Sequence, residues 1–148
     1  MIHVVIADRG KADIFVTPAL GAALNRVQRL ENPSAHHTEA SLHSDAPGRV
    51  LNRASGGHQS YDRGPTAHQH ALEHFLHEIA SALAHLAKDG AIVLVADRRL
   101  LGELRRACAA RGMTQIMGEV PKNLVHESAD RIAARLARLK GSPITQAI

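Results

Sequence analysis

The chain has 148 residues and a formal net charge of +4 at pH 7; 45% of its residues are hydrophobic, but only 2% are aromatic. This length fits one domain with an aliphatic core, and a single cysteine excludes an internal disulfide or a cysteine-based metal site. The apolar runs are far shorter than the roughly 20 residues that a membrane-spanning helix needs. We therefore expect a cytoplasmic protein without membrane insertion. Its net positive charge is compatible with an anionic partner such as RNA.

The N-terminal part of the chain has the pattern of three antiparallel strands. Residues 2–7 and 12–17 are short β-branched runs on either side of a turn that contains Gly10, which is typical of a hairpin. Asp8 suits the first position of that turn, where aspartate is favoured. Residues 22–30 are more polar, and they predict a third strand at the edge of the sheet.

The rest of the patterned sequence alternates helices and strands. Residues 65–88 have the 3.6-residue period of an amphipathic helix that opens at Pro65. The continuous apolar run 91–96 is typical of a strand that is covered on both faces, as in parallel sheets. The later pattern predicts a helix that Asp97 caps and that runs to about Arg111, a strand over 114–120 and a final helix over 125–140.

Together these elements predict an α/β fold with a five-stranded mixed sheet. A right-handed crossover places the strand at 91–96 beside the first strand and parallel to it. The strand order is then 3-2-1-4-5 with helices on both faces, which is the ribonuclease-H-like topology. We assign residues 1–141 to this single domain, with a long loop over 32–64, and residues 142–148 to a loose C-terminal tail.

The segment 44–64 is polar, basic and rich in glycine. Loops this long are uncommon in compact domains unless they are functional or disordered. We expect it to be mobile in the free protein and to become ordered against a partner, because little apolar surface offsets the entropy of ordering it. Its arginines suit phosphate oxygens. The residues that we expect to form the binding loop are Asp45, Arg49, Arg53, Gly56, Gly57, His58, Gln59 and Arg63.

Several short motifs spread over nearly the whole chain are those of one known family. They lie at residues 5–9, 12–15, 44–49, 94–105 and 122–126, and the Ser-Asp-Ala-Pro-Gly-Arg motif at 44–49 is the most specific of them. The chain resembles the bacterial family of proteins required for attachment to host cells. That family looks like a relative of the central domain of archaeal and eukaryotic peptide-chain release factors, so the resemblance implies a ribonuclease-H-like core.

The resemblance also implies a function for the glycine pair. Release factors carry Gly-Gly-Gln at the tip of a loop, where the glutamine orients the water that attacks peptidyl-tRNA. Here His58 separates Gly57 from Gln59, which moves the amide by several ångströms along an extended chain, and water positioning tolerates far less. We therefore favour a non-enzymatic module, without a cofactor, that binds RNA or the ribosome through this loop. Peptidyl-tRNA hydrolysis through Gln59 is the alternative.

Asp8 and Asp97 offer a second hydrolytic alternative. They end similar runs, Val-Val-Ile-Ala-Asp-Arg and Val-Leu-Val-Ala-Asp-Arg. If these strands are parallel neighbours, both carboxylates lie at the carboxyl edge of the sheet, where two carboxylates can hold Mg²⁺ for phosphodiester hydrolysis. A turn position for Asp8 and a helix cap for Asp97 are the simpler interpretations.

Histidines are the remaining candidates for chemistry. His70, His74 and His77 have the i, i+4, i+7 spacing at which side chains on one helix can converge on a metal. They lie opposite the apolar face of the predicted helix, so we expect a solvated surface and no bound metal. Cys108 falls on the apolar side of its helix, where packing is the simpler interpretation. Formation of a homo-oligomer stays open.

Overall fold

The structure is a computed structural model that describes residues 1–36 and 49–139, and for residues 36 and 49–66 it describes the backbone alone. The strands are β1 (Ile2–Ala7), β2 (Lys11–Thr17), β3 (Asn25–Glu31), β4 (Ala91–Val95) and β5 (Ile116–Val120). The helices are α1 (Arg49–Leu86), α2 (Arg98–Ala110) and α3 (Ala129–Ala137), and a short 3₁₀ helix (Pro33–His36) follows β3.

The five strands form one mixed sheet in the order β3-β2-β1-β4-β5. The pairs β1/β2 and β2/β3 are antiparallel, whereas β1/β4 and β4/β5 are parallel. This is the predicted order, and the predicted parallel pairing of the first strand with the apolar run after Gly90 is confirmed. The connection from β1 to its parallel neighbour β4 runs through two more strands and α1. Strand β1 is the middle strand of the sheet, between β2 and β4.

Both faces of the sheet are covered, because successive side chains of a strand point to opposite faces. One face carries Val5 and Leu94 and packs against α1 and α2 in a core of buried aliphatic side chains. The other carries Val4 and Val93 and packs against α3 and the segments that precede it. Cys108 of α2 is buried in the first of these cores, as predicted, and burial raises the pKa of its thiol to about 11.

Helix α1 corrects the prediction of a loop over residues 49–64. The backbone is helical from Arg49 to Leu86, through the glycine pair and through Pro65. The sequence predicts Pro65 as the first helical residue, because proline lacks the N–H that a helix interior needs and crowds the preceding turn. Extension of an existing helix adds a hydrogen bond for each residue fixed, which offsets these local costs. Residues 37–48, which include Asp45, lie outside the described residues.

The last helix is shorter than predicted. It begins at Ala129 after Ser128, whose Oγ accepts a hydrogen bond from the Arg131 N–H at 3.3 Å, rather than at Val125. Leu124 and Val125 precede the helix and are buried against the sheet. A serine side chain at this position satisfies a backbone donor that would otherwise lack a partner, so local capping chemistry decides the boundary.

The C-terminal tail that the sequence predicts lies outside the described residues. In the described part of the chain, no helix is both long enough and apolar enough to cross a membrane.

Candidate functional site

A cleft of about 1050 Å³ opens where β1 and β4 end. Helices α1 and α2 line most of it, and the β1–β2 turn and the segment after β3 supply the remaining residues. The carboxyl end of parallel strands is where open α/β sheets bind ligands. This cleft is therefore the strongest candidate for a working surface among the described residues.

Four arginines line the cleft: Arg9 of the β1–β2 turn and Arg98, Arg99 and Arg106 of α2. All four are exposed. The Arg99 Nε lies 3.7 Å from Glu103 Oε1, a long ion pair between neighbouring turns of one helix. The other three form no ion pair with any carboxylate in the described part of the chain. No described carboxylate therefore neutralises their charge.

Arg29 and Arg135, which lie outside the cleft, are paired with acids. Arg29 donates through two nitrogens to Asp13, at 2.7 and 2.9 Å, and Arg135 does the same to Glu127, at 2.7 and 2.8 Å. These hydrogen bonds raise the pKa of both guanidinium groups, and the bond from Arg135 lowers the pKa of Glu127. The charge of these two guanidinium groups is thus balanced by acids, whereas that of Arg9, Arg98 and Arg106 is balanced by no described carboxylate.

The turn that carries Arg9 is held from two sides. Asp8 Oδ1 accepts hydrogen bonds from the Gly10 and Lys11 N–H groups at 2.7 and 2.8 Å. The side-chain nitrogen of Asn32 donates to the Arg9 carbonyl at 3.0 Å, and the Asn32 N–H donates to the Gly10 carbonyl at 2.8 Å. Asn32 itself lines the cleft and is 7% exposed. The position of the Arg9 backbone is therefore fixed by buried and half-buried polar groups.

The start of α2 places two cations where the helix disfavours them. Asp97 Oδ1 accepts from the Leu100 N–H at 3.0 Å, which confirms the predicted cap. Arg98 and Arg99 occupy the first two helical positions, and the first turn has no acidic residue. Positive side chains are unfavourable at a helix N-terminus, whereas an anion is stabilised there by the helix dipole and free N–H groups. A bound anion would offset the unfavourable interaction of these two cations with the N-terminus of the helix.

Part of the cleft lining is apolar, with Leu72 and Leu76 on α1 and Ala107 and Ala110 on α2. The remaining polar residues that line it include Glu73, Glu103, His68 and His77. None of the described residues that line it is a phenylalanine, tyrosine or tryptophan. The cleft therefore offers charge, an apolar surface and two imidazole rings, but no larger aromatic ring on which a base can stack.

Asp8 and Asp97 do end neighbouring parallel strands, since Ile6 pairs with Val95 in the register of β1 and β4. However, each carboxylate accepts hydrogen bonds from the backbone beside it. Within residues 1–36 and 49–139, no three histidine, cysteine or acidic side chains are arranged to hold a metal ion. The geometry gives the two aspartates structural roles, and nothing in it favours the nuclease alternative.

The three histidines of the predicted stripe are exposed on α1. His74 Nδ1 lies 3.6 Å from Glu78 Oε1, and His77 borders the cleft. Among the described residues these side chains do not converge on a metal site.

The residues predicted for the binding loop cannot be located at the cleft. Asp45 lies outside the described residues, and the backbone alone is described for Arg49, Arg53, Gly56, Gly57, His58, Gln59 and Arg63. Sequence reasoning did not bring Arg9, Asn32 and the arginines of α2 together in one site. One signal in the sequence points to two of them, because Ala-Asp-Arg recurs at residues 7–9 and 96–98. The aspartates of this repeat suggested chemistry, whereas its arginines line the cleft.

The fold and the cleft define an α/β protein with a basic binding surface at the carboxyl edge of a mixed sheet. A family model described as "Protein required for attachment to host cells" matches residues 3–136. The chain belongs to this family, as its motifs indicated. The match concerns that family alone, so the relationship to release factors stays a prediction. No curated protein matches the chain in sequence.

Proposed function

We propose that this host-attachment-family protein is a non-enzymatic module that binds RNA, and that the cleft between α1 and α2 holds the phosphate backbone. The observation that carries the proposal is the set of three cleft arginines, Arg9, Arg98 and Arg106, that pair with no described carboxylate. A guanidinium presents a planar fork of donors that fits phosphate oxygens. The capped start of α2 adds the favourable end of a helix dipole.

Bonds to phosphate, rather than stacking, would supply the affinity. Single-strand binders usually combine a basic groove with aromatic platforms, and the described lining of this cleft has the groove but no phenylalanine, tyrosine or tryptophan. Binding should then depend steeply on salt, because each neutralised phosphate releases counterions. The N-terminal part of α1 carries Arg49, Arg53 and Arg63 on the helix that also lines the cleft. We propose that these arginines extend the same RNA-binding surface.

The test is a titration of a labelled single-stranded RNA of about 12 nucleotides, a length within the usual range for such sites. Binding is followed by fluorescence anisotropy at several salt concentrations. The variant Arg98→Ala with Arg106→Ala should weaken binding at least about tenfold, since each hydrogen bond to a charged group contributes roughly 1.5–3 kcal/mol. The slope of log K against log salt should fall by roughly 0.7 for each phosphate that the variant no longer neutralises.

The matched control is Arg131→Ala with Arg138→Ala. These two exposed arginines belong to α3 and its C-terminal end, on the opposite face of the sheet, and their removal changes the net charge by the same amount. The control should change affinity by no more than about twofold at about 0.1 M salt, where charges further away than about 10 Å are screened. Equal losses in the two variants, or no binding by the unmodified protein at low salt, would overturn the proposal.

Ribosomal RNA is one source of such a ligand. Co-sedimentation of the protein with ribosomes across a salt series tests this source, and the two double variants serve there as well. Sedimentation that the cleft variant reduces and the control does not would support ribosomal RNA; sedimentation that neither variant changes would oppose the cleft as the binding surface.

A further inference from the structure

The cleft contains two carboxylates among its arginines, Glu73 of α1 and Glu103 of α2. A site for phosphate alone would gain nothing from them, because an ionised carboxylate only accepts hydrogen bonds and repels phosphate oxygens. A ligand that fits both kinds of charge carries hydrogen-bond donors between its phosphates. The ribose of RNA is such a group, since its 2′-hydroxyl can donate.

Glu103 is the better placed of the two carboxylates. Its side chain is 28% exposed, whereas Glu73 is more fully exposed to solvent. Arg99 lies one turn earlier on the same helix, with its Nε 3.7 Å from Glu103 Oε1, which restrains the glutamate at the edge of the cleft. The partial shielding of Glu103 strengthens the hydrogen bonds that it accepts, because the local dielectric is lower than in water.

Beside Glu103 the helix surface is open. Gly102 lines the cleft, and a β-carbon built there would meet no described atom within 4 Å. Glycine inside a helix costs roughly 0.5–1 kcal/mol relative to alanine, and no packing contact among the described residues requires it at this position. A glycine in such a place allows close approach of a ligand to the helix backbone.

Gly102 lies midway between two of the cleft arginines. Arg98, Gly102 and Arg106 follow one another at four-residue intervals, so they form one row along α2. The two arginines are therefore about 12 Å apart along the helix axis. This row places an open surface between two cations, with the Glu103 carboxylate next to it.

We infer that the cleft selects RNA over DNA, with a ribose lying over Gly102 and its 2′-hydroxyl donating to Glu103 while Arg98 and Arg106 hold phosphates of the same strand. The inference rests on the proposed RNA-binding function and adds the chemical group that the protein recognises, the 2′-hydroxyl. Glu103 is on this basis a specificity-determining residue rather than a general contributor to affinity.

The experiment compares a single-stranded RNA with a DNA of the same sequence, chosen without uracil or thymine so that the 2′-hydroxyl is the one chemical difference. The unmodified protein should bind the RNA about tenfold more tightly, the lower end of what one hydrogen bond to a charged group contributes. Glu103→Ala removes the hydrogen-bond acceptor and the repulsion together. It should raise the affinity for DNA and bring the ratio of the two affinities close to one.

Two further variants make the test specific. Glu78→Ala removes the same side chain from an exposed part of α1 outside the cleft lining, and it should leave the ratio unchanged. Gly102→Ala should raise the melting temperature while it weakens binding of both nucleic acids, because the added methyl group stabilises the helix and occupies the open surface.

The outcomes separate the two proposals. Equal affinity for RNA and DNA with continued dependence on Arg98 and Arg106 would overturn the inference and leave the RNA-binding function in place. A ratio that survives Glu103→Ala would also overturn the inference, because another group would then recognise the ribose. Failure of the unmodified protein to bind either nucleic acid at low salt would overturn the RNA-binding function itself.

Discussion

At the residue scale, the buried polar groups divide into those with partners and one without. Glu119 and Asp13 are 7% and 6% exposed, and each accepts two hydrogen bonds from a more exposed arginine. The hydrogen bonds from Arg105 to Glu119 raise the pKa of that guanidinium. His3 differs, since its buried Nδ1 has no hydrogen-bond partner among the described residues. A buried polar atom without a partner costs free energy in the folded state.

The pH dependence of stability should reveal His3. Loss of hydration lowers the pKa of His3 below its ordinary value of 6.5, and the positive chain terminus lowers it further. The unfolded chain therefore binds a proton that the folded chain does not, and stability falls as the pH drops from about 7 through 6.5 toward the folded pKa. His3→Phe should lose less unfolding free energy between pH 7.5 and pH 5.5 than the unmodified protein, measured by chemical denaturation. Equal losses would show that His3 is protonated as easily in the folded protein as in the unfolded chain.

At the element scale, a close approach joins the segment after β2 to the last helix. Gly21 has a φ of +92°, and a β-carbon added there would lie 2.8 Å from the Cβ of Ala137 at the end of α3. Gly112, just after α2, also has a positive φ, of +72°, but an added β-carbon would meet no described atom within 4 Å. The two glycines share the left-handed backbone and differ in the space around them.

This difference predicts unequal costs of substitution. Gly112→Ala should lower the unfolding free energy by roughly 1–2 kcal/mol, the cost of a left-handed conformation for a residue with a β-carbon. Gly21→Ala should cost more, because α3 must also shift away from the sheet face that it covers. Thermal or chemical unfolding of both variants measures the difference. A smaller loss for Gly21→Ala would mean that α3 moves freely at this point.

At the scale of the whole molecule, burial is graded across the sheet. The central strands β1 and β4 are covered on both faces, whereas β3 forms an edge with mostly exposed side chains. Protection of backbone amides against hydrogen exchange reports local opening, which requires the least free energy where little apolar surface is buried. We expect the slowest exchange in β1 and β4 and faster exchange in β3, observed by mass spectrometry of the native protein. Protection of β3 equal to that of β1 would indicate that another surface covers this edge.

Local chemistry explains which boundaries were predictable. The β-branched runs, the Asp8 turn and the Asp97 cap each depend on a few neighbouring residues, and all three appear in the structure. The start of α1 was missed because proline at position 65 opens a helix in one context and interrupts it in another. Which of the two occurs depends on whether the preceding residues are already helical, and no local sequence pattern indicates this.

The sequence by itself determined the strand order, since hydrophobic period and the handedness of the crossover leave few arrangements. It also determined membership of the host-attachment family, because the motifs that carry it are local. Only the tertiary structure decided which charges act together. Arg9, Asn32 and Arg106 are far apart along the chain, and they line one cleft because β1 and β4 are parallel neighbours and α1 packs beside α2. The tertiary structure likewise decided which arginines are paired. Arg29 pairs with Asp13, whereas the cleft arginines Arg9, Arg98 and Arg106 have no described partner. Ion pairs depend on distances in the folded protein, which sequence separation does not give.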